Sequence, residues 1–177
     1  WDSLVQSPFM DYCQELVRQG KVGHLGMSSH NAAVALAAAK SGMVEVIMFS
    51  LNPAFDLVQT GLSIWDTNSY KNLLPGIDPV RTELYNYCAQ HDIAIVVMKA
   101  FGGGGRLLDA DKSPLGFALT TNQCLAYALS NPAVKVALCG TRNIEQLVED
   151  LQYLNASEAD KDFSTPLQQL NRPSKAA

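Results

Sequence analysis

The sequence predicts a parallel α/β fold, and three observations carry that reading. Three short apolar runs, VEVIMF from Val44, IAIVVM from Ile93 and VKVALC from Val134, are almost unbroken. Such runs fit parallel strands covered on both faces better than half-exposed strands. Stretches of helical periodicity separate them, which is the order of consecutive βα units. The length, 177 residues at 47% hydrophobic and 17% charged, is that of one ordinary globular domain. Parallel strands joined by right-handed crossovers build an open sheet or part of a barrel, and periodicity does not separate the two.

Each element has its own signal. Phe9, Met10, Cys13, Leu16 and Val17 recur at helical spacing, predicting a helix from Phe9 to Gln19 that closes at Gly20. Val22 to Met27 reads as a first strand, followed by the polar run Ser28-Ser29-His30-Asn31. The alanine-rich stretch from Ala32 to Lys40 is a strong helix former and stops at Gly42. Val44 to Phe49 is the second strand. Asn52 to Asp78 is long for a connection and reads either as a substrate loop or as a plain surface excursion. Asp78-Pro79 then supplies an N-cap and a proline at the first helical position, opening a helix from Val80 to His91. Ile93 to Met98 is the third strand, Asn122 to Leu129 a short helix, and Val134 to Cys139 the fourth strand. Asn143 and Gln146 are spaced as a capping box for a helix to Tyr153, and Ser157 and Asp160 open a last helix to Gln169. The tail from Arg172 reads as frayed. Trp1 to Met10 reads as a loop entering a helix, and the expectation is that the sequence begins inside a larger protein.

Composition removes several functions. Thirteen Lys+Arg against seventeen Asp+Glu give a formal charge of −4, with no basic cluster to bind nucleic acid or an acidic membrane. The longest apolar runs fall far short of the roughly 18 residues of a membrane span. Cys13, Cys88, Cys124 and Cys139 are scattered in apolar surroundings without a CxxC pair. They read as reduced, buried thiols of a cytoplasmic protein rather than a disulfide frame. His24 and His30 have no second ligand at metal spacing, so no metal site is expected.

Ligands of parallel α/β folds gather at the carboxyl ends of the strands. There the sequence places Ser28, Ser29 and His30; Ser50 to Asn52; Met98 to Gly105; and Gly140 to Asn143. Gly102 to Gly105 with Arg106 could wrap N–H groups and a guanidinium around a phosphate, or simply make a flexible turn. Gly140-Thr141-Arg142-Asn143 lies between a buried strand and a helix start, where free N–H groups favour an anion. Lys99 ends an apolar strand, either to meet an anion or to carry its ammonium into water.

Together these motifs resemble those of the aldo-keto reductase family. Gly20-Lys21-Val22-Gly23-His24-Leu25-Gly26-Met27-Ser28-Ser29-His30 is similar to the family's strand-5 signature. Met98-Lys99-Ala100-Phe101-Gly102-Gly103-Gly104 resembles strand 7, in particular the "MKPxGGG" branch, some members of which carry a C-terminal iron–sulfur segment. Cys139-Gly140-Thr141-Arg142-Asn143 with Gln146-Leu147-Val148-Glu149-Asp150 is similar to the strand-8 cofactor segment. The resemblance runs from Phe9 to about Leu170 and implies a single partial domain, the second half (strands 5–8) of a TIM (β/α)8 barrel.

The resemblance also implies a site. Ser28 and Ser29 match the Ser-Asn pair that holds the nicotinamide carboxamide, and Met48 stands where the family has a Gln. Met98 stands where many members stack a Tyr on the nicotinamide, and Lys99, Gly102 and Gly103 follow it. Gly140, Thr141, Arg142, Gln146 and Asp150 match the segment that binds the adenosine and its 2′-phosphate, with Gln146 for a frequent Arg and Asp150 for a frequent Asn. NADP, slightly ahead of NAD, is the implied cofactor; no cysteine follows Cys139, so no iron–sulfur cluster is expected. The family's catalytic Asp, Tyr, Lys and His lie on its first four strands, and no motif carrying them occurs here. The expected function is the cofactor-binding half of an enzyme that reduces a small-molecule carbonyl to an alcohol, without activity of its own. The alternative is a non-enzymatic half-barrel that binds nucleotide or assembles, either with itself or with an N-terminal half.

Overall fold

The computed structural model describes residues 1–171, so the tail from Arg172 lies outside the described residues. The chain opens with two helices, α1 (Asp2–Val5) and α2 (Pro8–Arg18). It continues through β1 (Gly26–Ser29), α3 (Ala32–Lys40), β2 (Val46–Ser50), α4 (Pro53–Asp56), α5 (Pro79–Gln90), β3 (Ala94–Met98), α6 (Thr121–Leu129) and β4 (Val134–Ala137). Helices α7 (Ile144–Gln152), α8 (Glu158–Lys161) and α9 (Ser164–Leu167) complete it. The four strands form one parallel sheet in chain order. This is the expected parallel α/β fold.

Helices α3, α5 and α6 cover one face. Ile47, Phe49, Ile95 and Val97 are fully buried beneath them. The other face is uncovered among the described residues, and this differs from the expected two-sided burial. Residues paired across the sheet share a face, which puts Val46, Met48, Ala94, Val96 and Val136 on the uncovered side. Strands β2 and β3 therefore alternate between buried and half-buried residues, and Val136 keeps 44% of its surface exposed. The apolar sequence anticipated a cover that these residues alone do not provide.

Two further boundaries move for local reasons. The first strand starts at Gly26, not Val22, because the Lys21 and Val22 N–H groups both close α2 on Leu16 O, at 3.0 and 3.3 Å. The helix expected from Ser157 to Gln169 is broken at Asp162. The Asp162 carbonyl accepts Gln123 Nε2 at 2.9 Å, and its carboxylate takes the Ser164 and Thr165 N–H groups. The Ser157–Asp160 capping box itself is closed on both sides.

Behind β2 lies a buried polar knot. Asp56 Oδ1 accepts Arg81 Nη1 at 3.0 Å and Tyr85 OH at 2.6 Å, while Asp56 Oδ2 accepts Tyr127 OH at 2.9 Å. Arg81 Nη1 also donates to Ser50 O at 3.0 Å. The pair is 1% and 3% exposed, and it fastens α4, α5 and α6 to the carboxyl end of β2. All four cysteines are free; Cys88 and Cys124 are buried, Cys13 and Cys139 partly so.

Candidate functional site

Two clefts open at the carboxyl ends of the strands. The larger, about 390 Å³, lies between the ends of β3 and β4 and the first turns of α7. Its volume falls in the roughly 300–1,000 Å³ range of small-molecule sites. Met98, Lys99 and Gly103 form one wall, and Gly140, Arg142, Gln146 and Asp150 form the other. Seven of the residues read from the sequence thus meet in one place, although some 40 positions of chain separate the two walls.

The β3 wall is set by backbone geometry. Lys99 leaves the strand at φ 63, in the left-handed region that side-chain-bearing residues rarely enter. Buried Asn52 holds it there, donating from Nδ2 to Lys99 O at 2.9 Å. Gly102 continues at φ 79, and a Cβ there would lie 2.8 Å from Leu107 Cγ. Gly103 follows at φ 76, where a Cβ would sit 3.3 Å from the Trp65 ring. The glycine run is therefore a fixed left-handed turn, closed by the Gly102 N–H on Lys99 O at 2.8 Å. Arg106 does not complete a phosphate wrap: its Nε folds back on Gly102 O at 3.0 Å.

The β4 wall is the start of α7. Asn143 caps the helix, accepting the Gln146 N–H at 2.9 Å. The reciprocal bond misses Asn143, because Gln146 Oε1 takes the Arg142 N–H instead, at 2.8 Å. The Arg142 side chain is solvent-exposed at the cleft margin. Glu149 enters the same cleft, its Oε1 accepting Thr121 Oγ1 at 2.9 Å. Burial, then the neighbouring Glu149 charge, raise the Asp150 carboxyl above its ordinary value. Thr141 is exposed and outside the lining.

Ser28 and Ser29 lie at the same end of the sheet, but strand β2 separates them from this cleft. Ser28 shares the uncovered face with Met48. The Ser29 hydroxyl is engaged in the turn before α3, accepting the Asn31 N–H at 3.0 Å and donating to Asn31 O at 3.1 Å. Gly102 is buried behind the cleft rather than lining it.

The second cleft, about 250 Å³, is lined by His30, Asn31, Thr60, Trp65 and Arg81 among others. It is roofed by the long 52–78 connection, whose Thr60 N–H and hydroxyl bond to Asp78 at 2.9 and 2.6 Å. Burial, followed by the charges of Lys99 and Arg81, holds the His30 pKa below its ordinary value. Trp65 stands between the two clefts. Its ring is edge-on to His30 at 5.2 Å, and Lys99 Nζ lies 5.9 Å above it. Sequence reasoning marked the loop but neither Trp65 nor Glu149. A lone tryptophan in a polar connection, and two adjacent carboxylates in a cofactor-like segment, were the available signals.

No group of three or more candidate metal ligands occurs among the described residues, and none of their helices is long and apolar enough to cross a membrane.

Fold and site together define a parallel α/β protein with a ligand cleft at its strand ends, and the comparisons place it. The sequence model of the aldo/keto reductase family matches residues 2–117, so the chain belongs to that family. The match ends before Gly140, leaving the β4 wall of the cleft outside it. An aldo-keto reductase from Pseudomonas aeruginosa superposes with a TM-score of 0.53 at 20% identity, covering 86% of this chain and 47% of its own. One from Bacillus halodurans, in apo and holo forms, gives 0.60 at 17% identity over 94% of this chain. These likenesses establish the fold, and the chain spans about half the length of the structures it matches. No curated protein sequence matches it.

Proposed function

We propose that this chain is the cofactor-binding half, strands 5–8, of an NAD(P)H-dependent aldo-keto reductase that reduces a carbonyl to an alcohol. The observation that carries the reading is the cleft between β3 and β4, where Met98, Lys99 and Gly103 face Gly140, Arg142 and Gln146. Bound nicotinamide dinucleotide would supply the hydride to the carbonyl carbon. The chain's own residues bind and orient. Arg142 and Lys99 offer positive charge to the phosphates. Gly103 keeps the wall low where a side chain would strike Trp65. Met98 offers an apolar, polarisable surface to a ring. Ser28 lies on the sheet face that a barrel would enclose. Holding the cofactor in one pose is the contribution such residues make to rate.

The proton that completes the alcohol falls to the family's tyrosine, which the resemblance places on the first four strands. The isolated chain is accordingly inactive. Titration with NADH and NADPH, followed by nicotinamide fluorescence, tests the reading. Saturable binding that weakens at least fivefold in Arg142→Ala supports it. A folded chain that binds neither nucleotide overturns it.

A second reading, an assembly module, is favoured by the apolar surface at both sheet edges. Helix α7 exposes Ile144, Leu147, Val148 and Leu151 at helical spacing, and α2 exposes Phe9 and Tyr12. Strands β1 and β4 are each unpaired on one side among the described residues. A barrel places one helix per gap between strands. Two copies of this chain would crowd α7 of one and α2 of the other into the same gap. A complementary unit that begins and ends on a strand avoids that conflict, so pairing with an N-terminal half fits better than self-association. Light scattering distinguishes them: a stable, discrete dimer would favour the second copy.

A further inference from the structure

We infer that the smaller cleft, under the 52–78 connection, binds a small organic acid whose carboxylate meets Arg81 and whose apolar body lies against Trp65. The site is separate from the proposed cofactor cleft and does not rest on that reading.

The way Arg81 divides its guanidinium carries the inference. Arg81 is 3% exposed, and its bonds to Ser50 O, Asp56 Oδ1 and the Tyr85 hydroxyl all leave from Nη1. Nε and Nη2 have no hydrogen-bond partner among the described residues, yet neither atom is sealed from solvent. Arg81 lines the smaller cleft, so this edge is the part of the guanidinium open to it. A charged donor this deep is costly to leave without an acceptor. The Nε–Nη2 edge presents two parallel N–H groups, the fork that a carboxylate accepts bidentately.

The remaining walls fit the same ligand. Among the described residues no Asp or Glu lines the cleft. Asn31 and Ala32 bring to it the N-terminus of the nine-residue helix α3, whose dipole favours an anion. After burial, the charges of Lys99 and Arg81 are what hold the His30 pKa down, which marks the cleft as electropositive. Val58, Leu62, Ile64 and Trp65 supply an apolar wall. That wall suits an organic acid better than a free phosphate, which would set a hydrated ion against it. At about 250 Å³ the space is below the roughly 300–1,000 Å³ of most ligand pockets and fits an acid of few atoms. A purely structural Arg81, neutralising Asp56, uses Nη1 alone and gives the cleft no means of telling an acid from its amide.

That discrimination is the test. The full chain, isotopically labelled, is titrated at constant pH with benzoate, benzamide and inorganic phosphate. The inference expects benzoate to shift the amides of Asn31 and Thr60 to Trp65, and the Trp65 indole, together and saturably. Benzamide and phosphate should each bind at least tenfold more weakly. Arg81→Lys keeps a cation for Asp56 but removes the fork, and should weaken benzoate at least tenfold. Should that variant not fold, Leu62→Glu decides. It sets a like charge on the lining at a side chain 51% exposed, and should weaken benzoate by a similar factor. The inference is overturned if benzoate leaves the cleft of the folded chain unshifted, or if benzamide or phosphate binds as tightly. Benzoate affinity unmoved in folded Arg81→Lys, or in Leu62→Glu, overturns it as well. NADH binding in the larger cleft is a separate measurement, so either reading can fail without the other.

Discussion

Asn52 Nδ2 donates to Lys99 O at 2.9 Å, joining the carboxyl ends of β2 and β3 across 47 positions of sequence. The same side chain, fully buried, caps α4 by accepting the Phe55 N–H at 2.9 Å. One residue thus fixes both the start of the long connection and the left-handed residue at the edge of the cleft. Asn52→Ala removes the cap and one of the two donors on Lys99 O, which keeps the Gly102 N–H, costing about 1–3 kcal/mol. Urea unfolding measures that loss, and nucleotide affinity should fall with it.

Lys99 itself separates stability from binding. At φ 63 it carries backbone strain of about 1 kcal/mol that glycine would not. Lys99→Gly is therefore expected to leave thermal stability unchanged or raised while weakening nucleotide binding. A side chain kept in a strained conformation without effect on affinity would point away from a binding role.

The buried Asp56–Arg81 pair predicts a large and asymmetric response. Arg81→Met leaves the Asp56 carboxylate buried without its cation and should destabilise by about 3–5 kcal/mol. Tyr127→Phe deletes only the donor to Oδ2 and should cost about 1–2 kcal/mol. Denaturant midpoints of the two variants give the comparison.

At the C-terminal side, Asp162 sets a pH dependence. The Ser164 hydroxyl first, then the Thr165 hydroxyl and N–H, hold its carboxyl down to about 2. A carboxylate depressed in the fold contributes stability above its unfolded value of 3.8 and loses it as pH falls toward 2. The α8–α9 junction should therefore open between about pH 4 and 2. Protection of the Ser164 and Thr165 amides, taken relative to the intrinsic exchange rate at each pH, should fall over that window.

Much of this arrangement was legible in the sequence, for reasons that differ by element. Ala32 to Lys40 coincides with its helix because the signals there are local: helix-forming residues, an Asn31 cap and a glycine stop. Asp78-Pro79 works for the same reason. That Met98–Gly103 and Gly140–Asn143 lie at one end of the sheet followed from the rule of strand ends, whereas Gln146 and Asp150 came only from the family resemblance. What the sequence concealed is non-local. The long connection conceals Trp65, whose contacts with His30, Lys99 and Gly103 exist only once β1 and β3 are aligned. Arg106 beside glycines resembles an anion site, yet its Nε–H is turned back onto the Gly102 carbonyl. The bare sheet face was unreadable because apolar strands look the same whether their cover comes from the same stretch of chain or from another.

The central claim is that the cleft between β3 and β4 holds the nicotinamide dinucleotide. The most direct test is amide chemical-shift mapping of the isotopically labelled chain during titration with NADH. The account predicts that Lys99 to Gly105 and Gly140 to Asp150 shift together and saturate at one concentration. Shifts confined to the His30–Thr60–Trp65 cleft, or no saturable shifts in a folded chain, would contradict it.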